Sequence, residues 1–145
     1  MAMIDKELII EASPGKIFNF VVRPSNLMQL WPSLMEIKNE KLLSNGGYCA
    51  DWKYKMDGIQ LKGKSECVEV IADKWFSVKI DGSVDCLMTW TFRSKDGIRT
   101  KVTFTADYHI SLPLINRLAS NVIVKMNERE SEVVLDNLRE ILETC

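Results

Sequence analysis

Residues 114–143 decide the fold; they read LINRLASNVIVKMNERESEVVLDNLREILE. The stretch contains neither proline nor glycine, and its apolar residues recur at spacings of three and four, which predicts one continuous helix. At 1.5 Å per residue such a helix is about 45 Å long. Because an isolated helix is only marginally stable in water, this one needs a surface on which its apolar stripe can pack.

The surface comes from residues 35–110, where apolar and polar residues alternate with period two, as in half-buried strands. Turn sequences rich in Gly, Asn and Asp interrupt the pattern. They occupy residues 44–47, 57–58, 72–74, 81–83 and 95–97. We therefore expect a meander of six antiparallel strands. The clearest of these strands are 48–56, 59–71, 75–81, 85–93 and 99–110.

The N-terminal part adds a strand over residues 3–11 and two short helices. Ser13 and Pro14 suit the N-cap and first position of one helix, and Pro24 ends it. The second runs from Pro24 through Trp31. The order β-α-α-β6-α predicts an α+β fold in which residues 1–145 form a single domain.

Composition narrows the function classes. The chain has 145 residues, 46% hydrophobic and 27% charged, with a net charge of −1, so it can bury a core without metals or disulfides. No basic stripe is present, which argues against nucleic-acid binding. We also expect no integral membrane segment, because no apolar run reaches the length needed to span a bilayer. The N-terminus does not resemble a signal peptide.

The four cysteines contain no CxxC pair. We interpret them as free thiols in a reducing compartment, which predicts a cytoplasmic location. Neither zinc-ligand spacing nor a Gly-rich phosphate loop is found, so we expect no metal and no cofactor.

One sheet face is expected to be wet and the other rich in aromatic and sulfur side chains. The inward set mixes large residues such as Trp52 and Trp90 with small ones such as Gly63 and Ala106. Two interpretations remain open, a solid core or a ligand pocket. In the predicted strand 59–71, the alternation of apolar and polar residues shifts by one position near residues 67–68, which predicts a β-bulge.

The apolar stripe of the long helix breaks at residues 127–132, which read NERESE. Counting back from Val134 in steps of three and four places Glu130 and Asn127 toward the sheet, with Ser131 or Arg129 beside them. Alternatively, the apolar stripe shifts around the helix at these residues, and the charged side chains reach solvent. If they face inward, Tyr54 or Tyr108 could satisfy them.

The single histidine, His109, falls on the wet face by alternation, unless a bulge near residues 111–113 turns it inward. A Ser-His-Asp or Cys-His site inside the fold is therefore not expected.

Four segments resemble one family. They are ASPGKIFNFVVRPSNLMQLWPSL (12–34), WKYKMDG (52–58), MTWTF (88–92) and KMNERESEVVLDNLREIL (125–142). Together they are similar to the polyketide cyclase/dehydrase and lipid-transport superfamily, which includes the START-like (SRPBCC) proteins. The resemblance implies a helix-grip fold. In that fold seven antiparallel strands wrap around the last helix, the two short helices plug one side, and the first strand pairs with the last. It also implies a cavity for apolar or amphipathic molecules, and it carries over no catalytic residue.

Pattern and resemblance together lead us to expect a hydrophobic small molecule as partner, such as a lipid, quinone or polyketide-like compound. The expected ligand-binding residues are Trp31, Trp52, Tyr54, Met56, Leu61, Cys67, Phe76, Val78, Met88, Trp90, Phe104, Tyr108, Met126, Asn127 and Glu130. The alternative is a cyclase, aromatase or dehydratase that uses Glu130, Tyr54 and Tyr108 for acid–base chemistry. Self-association is left undecided.

Overall fold

A computed structural model describes residues 2–56, 58–109 and 117–143; the side chains at 2, 56, 109 and 117–124 fall outside that description. The strands are β1 (Ala2–Ile10), β2 (Leu34–Leu42), β3 (Tyr48–Met56), β4 (Ile59–Ile71), β5 (Trp75–Gly82), β6 (Asp85–Ser94) and β7 (Thr100–His109). The helices are α1 (Pro14–Val21), a 3₁₀ helix (Pro24–Gln29) and α2 (Arg117–Glu143).

The strands form one antiparallel sheet in the order β1-β7-β6-β5-β4-β3-β2. The first strand pairs with the last, with Ile4 opposite Ala106. The curved sheet and the long C-terminal helix confirm the helix-grip fold. The predicted helix at 114–143 is confirmed from residue 117 onward, and residues 114–116 lie outside the described part of the chain.

The two short helices follow β1, as expected, but the second differs in kind and length. In α1, the Ser13 hydroxyl accepts a hydrogen bond from the Lys16 N–H at 3.3 Å, as an N-cap does. The second helix is a 3₁₀ helix that ends at Gln29, short of the expected Trp31. Its Asn26 side chain donates to the Phe20 carbonyl at 2.9 Å and so ties the helix to α1.

The predicted bulge is confirmed in β4. Cys67 pairs with Val78, but the next paired residue is Glu69, opposite Ser77. Val68 is left out of the ladder and is 41% exposed. Because the bulge inserts one extra residue, the inward-facing positions shift by one residue beyond it. This explains the shift in the apolar pattern of the sequence.

Helix α2 is fastened to the sheet and to the short helices by polar contacts along its length. The Arg139 guanidinium donates to the Ile9 carbonyl at 3.1 Å, and the Asn137 amide donates to the Leu30 carbonyl at 3.0 Å. Lys16 donates to the Leu142 carbonyl at 3.1 Å, where the helix dipole favours a positive charge. The apolar stripe beneath these contacts is buried at Val134, Leu135, Leu138 and Leu142.

An aromatic cluster fills one end of the concave face. Its members are Phe18, Trp31, Phe76, Trp90, Phe92 and Phe104. Phe18 and Phe76 meet edge-on at a centroid distance of 5.9 Å, and Phe76 and Phe92 are stacked at 6.1 Å, both preferred geometries of aromatic pairs. This end of the protein is therefore a packed core, and space for a ligand has to lie toward the other end.

Candidate ligand cavity

A cavity of about 110 Å³ lies between the sheet, the 3₁₀ helix and α2 and adjoins the aromatic cluster, whose Trp31 also forms part of the cavity wall. Its walls are Pro24, Leu27, Trp31, Leu34, Ile37, Trp52, Tyr54, Leu61, Ser65, Ile80, Val84, Cys86, Met88, Tyr108 and Asn127. The space is partly open to the surface. It is comparable to engineered cavities that admit a single aromatic ring, and smaller than the ~300 Å³ of an ordinary ligand site.

The cavity brings together about half of the predicted ligand-binding residues. Those on its walls are Trp31, Trp52, Tyr54, Leu61, Met88, Tyr108 and Asn127. Those placed elsewhere are Cys67, Phe76, Val78, Trp90, Phe104, Met126 and Glu130. The Met56 side chain lies outside the described residues. Alternation assigns a residue to a face but not to a position along the strand, and Phe76, Trp90 and Phe104 lie at the packed end.

Several wall residues were not predicted from the sequence. Cys86, Ile80 and Val84 lie where β5 and β6 meet, and Pro24 and Leu27 belong to the 3₁₀ helix. A usable signal existed for Cys86, because it shares the inward phase of Met88 and Trp90. The resemblance also implies that the short helices close one side of the cavity.

A polar cluster occupies the α2 side of the cavity. The Tyr54 hydroxyl donates to the Asn127 Oδ1 at 2.9 Å and to the carboxyl Oε2 of Glu130. One hydroxyl proton serves two acceptors, so it donates to one at a time. The other carboxyl oxygen of Glu130 accepts from the Ser33 backbone N–H at 2.7 Å. Glu130 itself does not line the cavity, but Tyr54 connects it to the cavity wall.

The inward orientation of the helix interruption is confirmed. Asn127 is 6%, Glu130 8% and Ser131 1% exposed, whereas Arg129 points outward. The Ser131 hydroxyl donates to the Asn127 carbonyl one turn earlier at 2.8 Å, which satisfies it within the helix. The polar residues that interrupt the apolar stripe therefore form a buried polar site and do not face solvent.

The hydroxyl and thiol groups on the walls are held in their neutral forms. Burial, followed by the hydrogen bond to Glu130, raises the pKa of Tyr54 far above its ordinary value. Burial also raises the pKa of Tyr108, with smaller contributions from Cys86 and Glu130. Burial and the nearby Asp107 raise the pKa of the Cys86 thiol to about 12. None of the three groups is suited to lose a proton near neutral pH.

Other chemistry is sparse in the described part of the chain. Within those residues, no three His, Cys, Asp or Glu side chains are grouped so that they could hold a metal ion. His109 ends β7 opposite Asp85, and its side chain is among those not described. None of the helices in the described ranges has the length and apolar character needed to cross a bilayer.

The fold and its cavity define a helix-grip protein, and the comparison with known families agrees. Residues 1–143 match the family described as "Polyketide cyclase / dehydrase and lipid transport". The chain belongs to this family. Among curated proteins, none matches the sequence significantly.

Solved structures with the same fold share little sequence with this chain. An aromatase/cyclase called Zhui, from a Streptomyces species, has a TM-score of 0.81 at 13% identity, over 98% of this chain and 93% of that one. A START superfamily protein from Mycobacterium smegmatis has a TM-score of 0.79 at 13% identity, over 98% and 97%. TTHA0849 from Thermus thermophilus has a TM-score of 0.72 at 20% identity, over 96% and 95%. At these identities the likeness extends to the fold alone.

Proposed function

We propose that this protein binds or carries a hydrophobic or amphipathic small molecule in the cavity between sheet and helix. The observation that carries the proposal is the character of the walls. They are apolar and aromatic over most of their area, and their few polar groups include Tyr54 and Asn127 on the α2 side. An apolar enclosure with a few fixed polar groups is typical of small-molecule sites.

The ligand we propose has an apolar body with a polar group at one end. Trp31, Leu61 and Met88 would contact the body, while Tyr54 and Asn127 would face the polar group. Lipids, quinones and polyketide-like compounds share this character. The family's description includes both lipid transport and polyketide chemistry, which supports these classes without choosing among them.

A filled-cavity variant tests the proposal. We expect 2-naphthol, an aromatic body with one hydroxyl, to raise the melting temperature of the protein. Ligand at ten times its Kd adds about 1.4 kcal/mol to the free energy of unfolding. Cys86→Leu, which places extra carbons in the cavity, should abolish this response, and Cys67→Ala, which alters a buried thiol away from the cavity, should retain it. An equal response in wild type and Cys86→Leu would contradict cavity binding.

A second candidate function, that of a cyclase, aromatase or dehydratase, is favoured by the Tyr54–Glu130 contact. In a dehydration, the Glu130 carboxylate would take, through the Tyr54 hydroxyl that lines the cavity, the proton from a carbon next to a carbonyl. The C–H electrons would form the C=C bond, and the same proton would pass to the departing β-hydroxyl, which leaves as water. Glu130→Gln should then abolish turnover of a poly-β-keto substrate while ligand binding persists. Unchanged turnover in that variant would count against this role.

The geometry favours binding over catalysis. Both Glu130 oxygens already accept hydrogen bonds, from Tyr54 and Ser33. The raised pKa values of Tyr54 and Tyr108 make both hydroxyls weak acids. These groups are better arranged to hold a polar group in place than to exchange protons with it.

A further inference from the structure

The described cavity is partly open and smaller than the ligand class proposed for it, so a molecule larger than one ring must either extend through the opening or displace a wall. The wall residues differ in how firmly they are held. Eight of the fifteen, such as Leu61 and Tyr108, are buried, and the other seven are half-buried. Trp52 is half-buried and lines two spaces at once, namely the cavity and a groove on the outer surface of strands β2 to β5.

Strand pairing places the Trp52 ring directly against a glycine. Trp52 lies opposite Gly63 on β4, and a β-carbon at residue 63 would come within 2.8 Å of the indole Cζ2. Its partner on β4 therefore offers no side chain to brace the ring in place.

The indole N–H of Trp52 does not have its hydrogen-bonding capacity satisfied when the ring lies in the inward position. Its Nε1 is buried and has no hydrogen-bond partner among the described residues. A buried donor without an acceptor destabilises the conformation that contains it. The outer groove is lined by the carboxylates of Glu36, Asp51 and Asp81, which are acceptors of the kind this donor lacks. Displacement toward the groove would give the N–H access to these acceptors or to water.

We propose that Trp52 is the movable wall of the cavity and determines the size of ligand that the protein accepts. In the inward position it limits the cavity to a ligand of about one ring. When displaced toward the groove it joins the two spaces and admits a fused-ring or longer amphipathic molecule. This inference rests on the proposed binding function and adds to it the residue that sets the ligand's size.

Fluorine NMR of protein labelled with 5-fluorotryptophan tests the proposal in the intact chain. The four tryptophans serve as internal controls after assignment by Trp→Phe variants. Trp31 lines the cavity and reports binding of any ligand, whereas Trp75 lies away from it and should not respond. Phenol should shift the signals of Trp31 and Trp52, which both line the cavity, and leave Trp52 shielded from solvent. 2-Naphthol should shift Trp31 and also expose Trp52 to solvent, seen as increased broadening of its signal by a soluble paramagnetic agent.

The outcomes separate this inference from the binding proposal. If 2-naphthol shifts Trp31 while Trp52 stays shielded, the movable wall is wrong and the binding function stands. If neither ligand shifts Trp31, both are wrong. A variant adds an independent test: Trp52→Ala should improve the affinity for 2-naphthol relative to phenol at least tenfold, because no wall has to move. An equal effect on the two affinities would overturn the inference.

Discussion

The Tyr54 hydroxyl on β3 donates a hydrogen bond to the Glu130 carboxyl on α2, across 76 positions of the chain. The same carboxyl accepts from the Ser33 N–H, just before β2. Three parts of the fold thus converge on one side chain. The contact closes the α2 side of the cavity with polar groups that satisfy one another, which allows a glutamate to lie on the buried face of an otherwise apolar helix.

Removal of the Tyr54 hydroxyl should weaken the whole fold. Tyr54→Phe leaves the buried Glu130 carboxyl with one donor fewer, and we expect the free energy of unfolding to fall by about 1–3 kcal/mol. Urea denaturation measures this loss. Tyr48→Phe is the matched control, because that ring is half-buried under the Arg23 guanidinium; we expect a change within about 0.5 kcal/mol. Equal losses in the two variants would contradict the contact.

A double-mutant cycle between Tyr54→Phe and Glu130→Gln isolates the pair. Because the two side chains touch, their effects should be non-additive by at least about 0.5 kcal/mol. Additive losses would mean that the hydroxyl and the carboxyl act independently.

Stability should decline in alkaline solution because three buried groups keep their protons in the folded state. The pKa values of Tyr54 and Tyr108 are raised, and that of Cys86 is raised to about 12. In the unfolded chain these groups ionise at about 8.5–10. Their stabilisation is complete below that range, begins to be lost as pH enters it, and continues to fall toward the raised pKa values of the folded state, with a combined slope approaching about 4 kcal/mol per pH unit.

Cys86→Ala isolates the contribution of one of these groups to the pH dependence of stability. Between pH 9.5 and 11.5 the slope of unfolding free energy against pH should become shallower by about 1.4 kcal/mol per pH unit, since one fewer proton is released on unfolding. Urea titrations at a series of pH values measure the slope, which is independent of any constant loss from the mutation. An unchanged slope would show that this thiol is not held neutral by the fold.

Substitution by leucine should cost less stability at Cys86 than at Cys67. Cys86 faces the cavity, so Cys86→Leu fills open space and should lower the free energy of unfolding by less than about 1 kcal/mol, or raise it. Cys67 packs against Gly47 away from the cavity, so Cys67→Leu should cost about 1–3 kcal/mol through overpacking. Thermal and urea unfolding compare them. A larger loss for Cys86→Leu would mean that the space near Cys86 is not available.

Gly63 should not tolerate a side chain. A β-carbon there would collide with the Asp81 backbone carbonyl and press on the Trp52 ring. Because the backbone must shift, we expect Gly63→Ala to cost at least about 2 kcal/mol. Lys64→Ala, one residue along the same strand and exposed, should change the unfolding free energy by less than about 0.5 kcal/mol. Similar values for both would contradict the close approach of β4 and β5.

The fold was largely predictable because its signals are local. Turn glycines, the Ser13 cap and the period of residues 114–143 each depend on neighbours in the chain, and the register slip near Cys67 marked the bulge. Helical spacing also offered the inward position of Asn127 and Glu130, beside the alternative that their side chains reach solvent, and their burial decides between the two. In each case a period or a single residue type carries the information.

The site was less predictable because it depends on distant parts of the chain. Alternation placed Trp90 and Cys86 on the same face without showing that one lies in the packed cluster and the other on the cavity wall. The donor to Glu130 from residue 33 is a backbone N–H, and no residue type in the sequence indicates such a donor. The close contact between the Trp52 ring and β4 depends on a glycine on that neighbouring strand.

The central claim, an internal cavity that binds an amphipathic small molecule, is tested most directly by methyl NMR during titration with 2-naphthol. We expect saturable shifts of the methyl groups that line the cavity, on Leu61, Ile80 and Val84. The buried methyl groups of Val102 and Leu138, which lie off the cavity walls, should move little. Saturable shifts at Leu61, Ile80 and Val84 would support the account; shifts scattered over exposed residues, with these three unmoved, would contradict it.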